Sequence, residues 1–218
     1  MARTRPFDAH PARYDDWFER HDAAYQSELR AVRSLLPEGG DGLEVGVGTG
    51  RFAAPLGLSH GIDPSSEMRE RARERGINVK DSVAEDLPYP DGRFDIVLLT
   101  TTLCYLDDPE AAFDEAFRVL RPGGVFVVGF VDRDGPLGRT YEARRRESVF
   151  YESARFFGRS DVRRLLNDAG FTDLEARQTL FSDPDTMAEP DPVKEGMGDG
   201  GFVVLRGVKP PSDGHRSV

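Results

Sequence analysis

Two features of the chain could do chemistry together. The first is the glycine-rich run Gly46-Val47-Gly48-Thr49-Gly50, which directly follows the short apolar segment Leu43-Glu44-Val45. Glycines let backbone approach a ligand closely and tolerate positive φ. The second is Asp63, 17 residues after Gly46, at the end of Gly61-Ile62-Asp63. In an open α/β sheet, ligands bind beyond the carboxyl ends of the strands, and a carboxylate there can accept hydrogen bonds from both hydroxyls of a ribose. Asp63 would serve equally as an N-cap for a following helix. The pair therefore suggests a nucleoside-containing cofactor, and two loop readings stay open. Gly48-Thr49-Gly50-Arg51-Phe52-Ala53 fits the dinucleotide pattern G-x-G-x-x-A, but starts two residues late. Starting at Gly46 puts Arg51 where the third glycine belongs.

These residues need a scaffold of alternating strands and helices. Residues 11–36 read as one N-terminal helix, since Tyr14, Trp17, Phe18, His21, Tyr25, Leu29, Val32 and Leu36 recur at spacings of three and four. Strands are expected at 43–45, 61–63 and 77–80, with a helix opening at Pro64 to Glu67 between the last two. Phe94 to Leu99 and Val125 to Val131 are near-continuous apolar runs, as strands covered on both faces require. A helix over 109–120 joins them. Ser160 is placed to cap a helix ending at Ala169. Residues 174–180 and 202–205 read as late strands, joined by a stretch without helical pattern. They are expected to be antiparallel neighbours. Residues 132–159 lack periodicity but hold five aromatic residues and read as a cap insertion. The domain is taken as 1–208, with a disordered tail at 209–218.

Longer motifs extend the case. Val83-Ala84-Glu85-Asp86-Leu87-Pro88-Tyr89-Pro90-Asp91-Gly92-Arg93-Phe94-Asp95-Ile96-Val97 and Arg118-Val119-Leu120-Arg121-Pro122-Gly123-Gly124 resemble segments of class I S-adenosylmethionine (SAM)-dependent methyltransferases of the type 11 family. With Glu44 to Gly50 and Asp63 they stand in that family's order and spacing. The resemblance covers about residues 40–131 closely and the rest loosely. Tyr14-Asp15-Asp16-Trp17-Phe18 and Pro192 to Gly196 also resemble stretches of small prokaryotic SAM methyltransferases.

The resemblance implies an α/β Rossmann-like fold. Its sheet is mainly parallel and seven-stranded with one antiparallel strand, covered by an N-terminal helix and a small cap. It implies SAM as cofactor and in-line displacement of its methyl group. It places Gly46, Val47, Gly48 and Gly50 against the methionine part, with Glu44 supporting the loop. Asp63 would hold the ribose, Pro64 would lie beside the adenine, and Ala84 and Glu85 would border it. Thr100 and Thr101 would lie near the methionine carboxylate or the sulfur, and Arg51 would pair with that carboxylate. Tyr14 would lie over the cofactor.

The acceptor is constrained only in class. Amino-methylating enzymes of nucleobases and glutamine often carry Asn/Asp-Pro-Pro-Tyr after the fourth strand, where this chain has Thr100-Thr101-Thr102-Leu103-Cys104-Tyr105. The net charge of −10 repels nucleic acid. A small-molecule acceptor is expected, with Tyr14, His21 and Tyr105 as catalytic candidates. Neither a nucleic-acid nor a membrane partner is expected, and the chain is taken as a monomer or homodimer. The four histidines are scattered, and Cys104 is the sole cysteine, so no metal site is expected and a reducing cytoplasm fits. Arg3 and Arg5 have no apolar run behind them, against a secretory leader. A SAM-binding regulator without turnover and a nicotinamide oxidoreductase stay open as alternatives.

Overall fold

The computed structural model describes residues 5–211. Strands β1 (Gly42–Val45), β2 (His60–Ile62), β3 (Asn78–Lys80), β4 (Phe94–Thr100) and β5 (Leu120–Val131) pair in parallel in the order β3-β2-β1-β4-β5. Beyond β5 the sheet continues with β8 (Phe202–Val208), β6 (Thr172–Thr179) and β7 (Lys194–Glu195), each antiparallel to its neighbour. The last two long strands are thus antiparallel neighbours, as expected, with β8 inserted between β5 and β6. The sheet has eight strands rather than seven. The extra one is the two-residue edge strand β7, too short to leave a pattern in the sequence.

The apolar runs of β4 and β5 alternate between two cores. Phe94, Val97 and Leu99 with Phe126, Val128 and Phe130 pack on one face against α6 (Pro109–Val119) and α8 (Arg159–Asp168). Ile96 and Leu98 with Val125 and Val127 pack on the other face against α3 (Asp22–Arg33), α4 (Ala53–Leu56) and α5 (Ser66–Glu74). A strand covered on both sides has no need of polar alternation. The strand order reverses between β1 and β4, which opens a crevice at their carboxyl ends.

The N-terminal region differs from the single helix expected over 11–36. It forms α1 (Arg5–Ala9), α2 (Pro11–Arg20) and α3, with breaks at His10 and His21. His21 sits at φ −117°, ψ 42°, and its ring Nδ1 lies 2.9 Å from the Trp17 carbonyl oxygen. The heptad-like pattern survives the break because both helices still bury one face. Ser160 is not the cap of α8. The N-cap is Gly158, two residues earlier, with Gly158 N–H donating to the Asp161 carboxylate and Arg159 N–H donating to Asp132. The cap region contains α7 (Pro136–Ala143) and a stack of Tyr141 on Tyr151 at 4.9 Å. Of the expected tail, 212–218 lies outside the described residues. Lys209 is held: its N–H donates to Gly124 and its Nζ to the Phe117 and Leu120 carbonyls.

Asp132, fully buried at the end of β5, joins the sheet to α8. It accepts Arg159 Nη1 at 2.6 Å and the backbone N–H groups of Asp134 and Arg159. Truncation would leave those donors unmet. Asp132→Ala is expected to lower unfolding free energy by roughly 2–4 kcal/mol, read as a lower urea midpoint at unchanged slope. A loss below about 0.5 kcal/mol would refute this linking role.

Candidate functional site

A cavity of about 660 Å³ opens at the carboxyl ends of β1, β2 and β4. The glycine loop and Asp63 form one end. The aromatic residues of α1 and α2 and the cap region cover it. Gly46 and Gly48 have φ of 69° and 53°. Neither position has room for a side chain. A Cβ on Gly46 would stand 2.3 Å from Thr102 Cγ2, and one on Gly48 would stand 3.2 Å from the Tyr14 hydroxyl.

Two buried carboxylates shape this loop. Asp63 accepts Gly48 N–H and Ser65 N–H, each at 2.9 Å. It thereby ties the loop after β1 to the loop after β2. Burial outweighs those hydrogen bonds and raises its carboxyl to about 6. Glu44 accepts Ala53 N–H at 2.8 Å and so fixes the start of α4. Burial, partly offset by that bond and aided by Asp63, holds Glu44 well above the usual carboxylate range.

The structure brings together Tyr14, Gly46, Gly48, Asp63 and Pro64 on the cavity wall. Ala84, Glu85, Thr101 and Tyr105 line it as well. The Glu85 carboxylate accepts the N–H groups of Asp107 and Asp108, joining the loop after β3 to the segment after β4. Thr101 adopts φ 55°, unusual for a β-branched residue, and donates its hydroxyl to the Thr100 carbonyl.

Six of the residues expected at the site lie off its wall. Glu44 and Val47 are buried beneath the loop, and Val47 packs against Gly61. Gly50 packs on Ala72 and Ile77, and Thr100 is buried within β4. Arg51 was expected to meet a cofactor carboxylate. Its Nε instead donates to Asp15 at 2.9 Å and its Nη2 to Glu19 at 2.6 Å. Asp15 also accepts Thr49 Oγ1, Arg71 Nη1 and Arg75 Nη2, so it clamps α2 onto the glycine loop and α5. Burial acts against that charge, but the bonds from Arg51 and Thr49 keep Asp15 below its ordinary value. His21 was expected as the candidate base. Its Nε2 lies 3.1 Å from Asp185, its Nδ1 faces Trp17 O, and its ring stacks on Trp17. Both nitrogens meet oxygen acceptors and neither faces the cavity.

The two tyrosines line the cavity with phenols held in the protonated form. Burial, then Glu44 and Asp63, push the Tyr14 phenol far up, and burial does the same for Tyr105. Phe7 packs edge-on against both rings, at 5.9 and 5.0 Å.

Sequence reasoning missed Phe7, Thr102 and Glu28. Thr102 Oγ1 donates to the Gly46 carbonyl at 3.1 Å, locking the loop to the end of β4. Glu28 lies on the cavity wall from α3, 4% exposed, without a hydrogen-bond partner among the described residues. Its one signal in the sequence was an acid three residues after Tyr25 on the inner stripe of an amphipathic helix.

Comparison with known proteins agrees with this geometry. A methyltransferase-domain family model matches residues 43–128. A Thermotoga maritima crystal structure, described as a SAM-dependent methyltransferase and "possible histamine N-methyltransferase", is 50% identical. It aligns with a TM-score of 0.92 over 94% of this chain and 99% of that one. An uncharacterized protein of Methanocaldococcus jannaschii is 41% identical over 93% of this chain and 98% of its own length. The malonyl-[acyl-carrier protein] O-methyltransferase of Geobacter sulfurreducens is 33% identical over 80% of this chain and 71% of its own.

The chain belongs to the SAM-dependent methyltransferases. Its cofactor is S-adenosylmethionine. The methyltransferase fold therefore replaces the dinucleotide reading of the loop. The residues fit the cofactor: two glycines of positive φ put bare backbone on the cavity wall, and a buried carboxylate stands beside them.

One cost of this methyltransferase site is measurable. Burial raises the Glu28 carboxyl from 4.5 to about 8. The phenols around it, Tyr14, Tyr141 and Tyr151, are themselves raised and stay neutral. Below the unfolded value both states hold the proton. Between the two values only the folded state does, so Glu28 erodes stability as pH rises from about 4.5 to about 8. Glu28→Gln should remove that fall, its stability relative to wild type growing by a few kcal/mol, roughly 3–5, across the window. Parallel denaturation curves of the two proteins at every pH would contradict it.

Proposed function

We propose that this protein transfers a methyl group from SAM to a small-molecule acceptor held in the same cavity. One observation carries the reading: a single chamber runs from the glycine loop and Asp63 to the aromatic cover of Tyr14, Trp17 and Phe18 and the Tyr141–Tyr151 stack. A cover of that kind suits a molecule that can be enclosed rather than a nucleic-acid strand.

SAM, when bound, supplies a methyl group on a sulfonium, which departs by in-line displacement. The protein's task is then to position and enclose. Gly46 and Gly48 present backbone to the methionine part, with Glu44 and Thr102 holding the loop from behind. Asp63 retains lone pairs for the ribose hydroxyls after accepting its two backbone donors. Pro64, Ala84 and Glu85 border the adenine. Tyr14 and Tyr105, protonated at working pH, donate to or orient the acceptor and exclude water. Orientation of this kind can supply roughly 7–11 kcal/mol of barrier reduction, so a dedicated base is needed only for acceptors that hold their proton. A single thiol suits a reducing cytoplasm as the site of action.

Calorimetry should show binding of SAM and S-adenosylhomocysteine and none of NAD. Transfer from labelled SAM to one class within a panel of thiols, amines, phenols and carboxylates is expected. Tight SAM binding with no transfer to any acceptor would favour a regulator without turnover. NAD binding without SAM binding would sink the proposal. At the residue level, Asp63→Ala should weaken SAM binding by about 1–3 kcal/mol through lost hydrogen bonds. Affinity equal to wild type would remove Asp63 from the ribose.

A further inference from the structure

Each acidic group at the cofactor end of the chamber is already engaged. Asp63 holds two backbone N–H groups, and Glu85 holds two more. Asp15, beneath the loop, is matched by three arginines. Asp185, at the opposite rim, meets His21 and is largely exposed. Among the described residues of the wall, Glu28 is buried and has no hydrogen-bond or ion-pair partner. The only arginines on the wall, Arg13 and Arg20, are exposed at its rim.

A buried carboxyl without a donor destabilises a fold, and no donor among the described residues compensates here. Glu28 shares the cavity wall with Tyr14, Tyr141 and Tyr151, which come from α2, α7 and the cap segment after it. Asp63 lines the same cavity, so both carboxyl groups border one chamber. A buried acid on a wall that also carries aromatic rings is an arrangement that accepts an organic cation. Once an incoming cation displaces the proton that burial otherwise keeps on it, the carboxylate supplies charge and hydrogen-bond acceptors, and the rings supply cation–π attraction and an apolar wall.

We propose that Glu28 is the acceptor-recognition residue, and that the acceptor is a compact amine whose protonated nitrogen is received by the Glu28 carboxylate among Tyr14, Tyr141 and Tyr151. This rests on the cavity being the methyl-acceptor chamber of a SAM methyltransferase. Glu28 acts by contact with the acceptor; the cofactor lies at the other end, with Gly46, Gly48 and Asp63. An anionic acceptor would meet an acid with no counter-ion and is rejected.

The test is calorimetry on protein saturated with S-adenosylhomocysteine, titrated with 2-phenylethylamine, 2-phenylethanol and 3-phenylpropionate, and with butylamine against butanol. Wild type should bind at least one amine ten-fold or more tightly than its alcohol, with the carboxylate weakest. Glu28→Gln should lose ten-fold or more of amine affinity, with alcohol and S-adenosylhomocysteine affinities within two-fold of wild type. Glu28→Asp should keep part of the amine preference, which a role in packing alone would not produce. Equal binding of amine and alcohol in both pairs, or a preference that survives Glu28→Gln, overturns the assignment. If S-adenosylhomocysteine does not bind at all, it is the cofactor reading that fails. The same titrations on the cofactor-free protein then decide Glu28 separately.

Discussion

The site depends on one carboxylate shared between two loops. Asp63 accepts Gly48 N–H with one oxygen and Ser65 N–H with the other. The turns after β1 and β2 are thereby set relative to each other, at the point where the strand order reverses. Gly46 and Val47 N–H groups add to this by donating to the Ile62 carbonyl, so the loop is stitched to β2 along its length. A loop held this way keeps its shape without further ordering when a ligand arrives, which is how preorganisation saves binding free energy.

The cover over that loop is fixed by charge rather than by apolar packing alone. Asp15 on α2 gathers Thr49, Arg51, Arg71 and Arg75, reaching both the glycine loop and α5. The α2 helix therefore cannot move away from the loop without separating a partly buried ion cluster, which is costly when one partner is left alone. Tyr14, one residue earlier, is delivered to Gly48 by the same clamp. The break at His21 then lets α3 turn back beneath the sheet's edge and bring Glu28 to the chamber.

Stability and function pull against each other at this cover. Asp63, Glu44 and Glu28 are all buried acids whose carboxyls are raised by burial. The first two recover part of the cost from backbone N–H groups. Glu28 recovers none from the described residues, and a fold optimised only for stability would place an apolar residue there. Functional sites are where such local inconsistencies concentrate.

Much of the fold was legible in the sequence because its signals are local. Strand ends followed by glycines, the two-sided apolar runs of β4 and β5, and Asp63 at a strand terminus are set by residues within a few positions of each other. They led to the parallel sheet, and the longer motifs, by resemblance to a family, led to the cofactor class. The two-residue β7 was too short to show, and the helix break at His21 left the apolar period intact. What only the tertiary structure decided was the partner of each charged side chain. Arg51, beside the loop in sequence, looked free to meet a ligand, yet Asp15 takes it from 36 residues away. His21 looked like a base, yet Asp185 and the Trp17 carbonyl occupy its nitrogens. Glu28 drew no notice among helical charges, yet folding buries it unmatched on the cavity wall. Spacing along a chain sets backbone and burial periods; which charge meets which depends on segments that only the folded chain brings together.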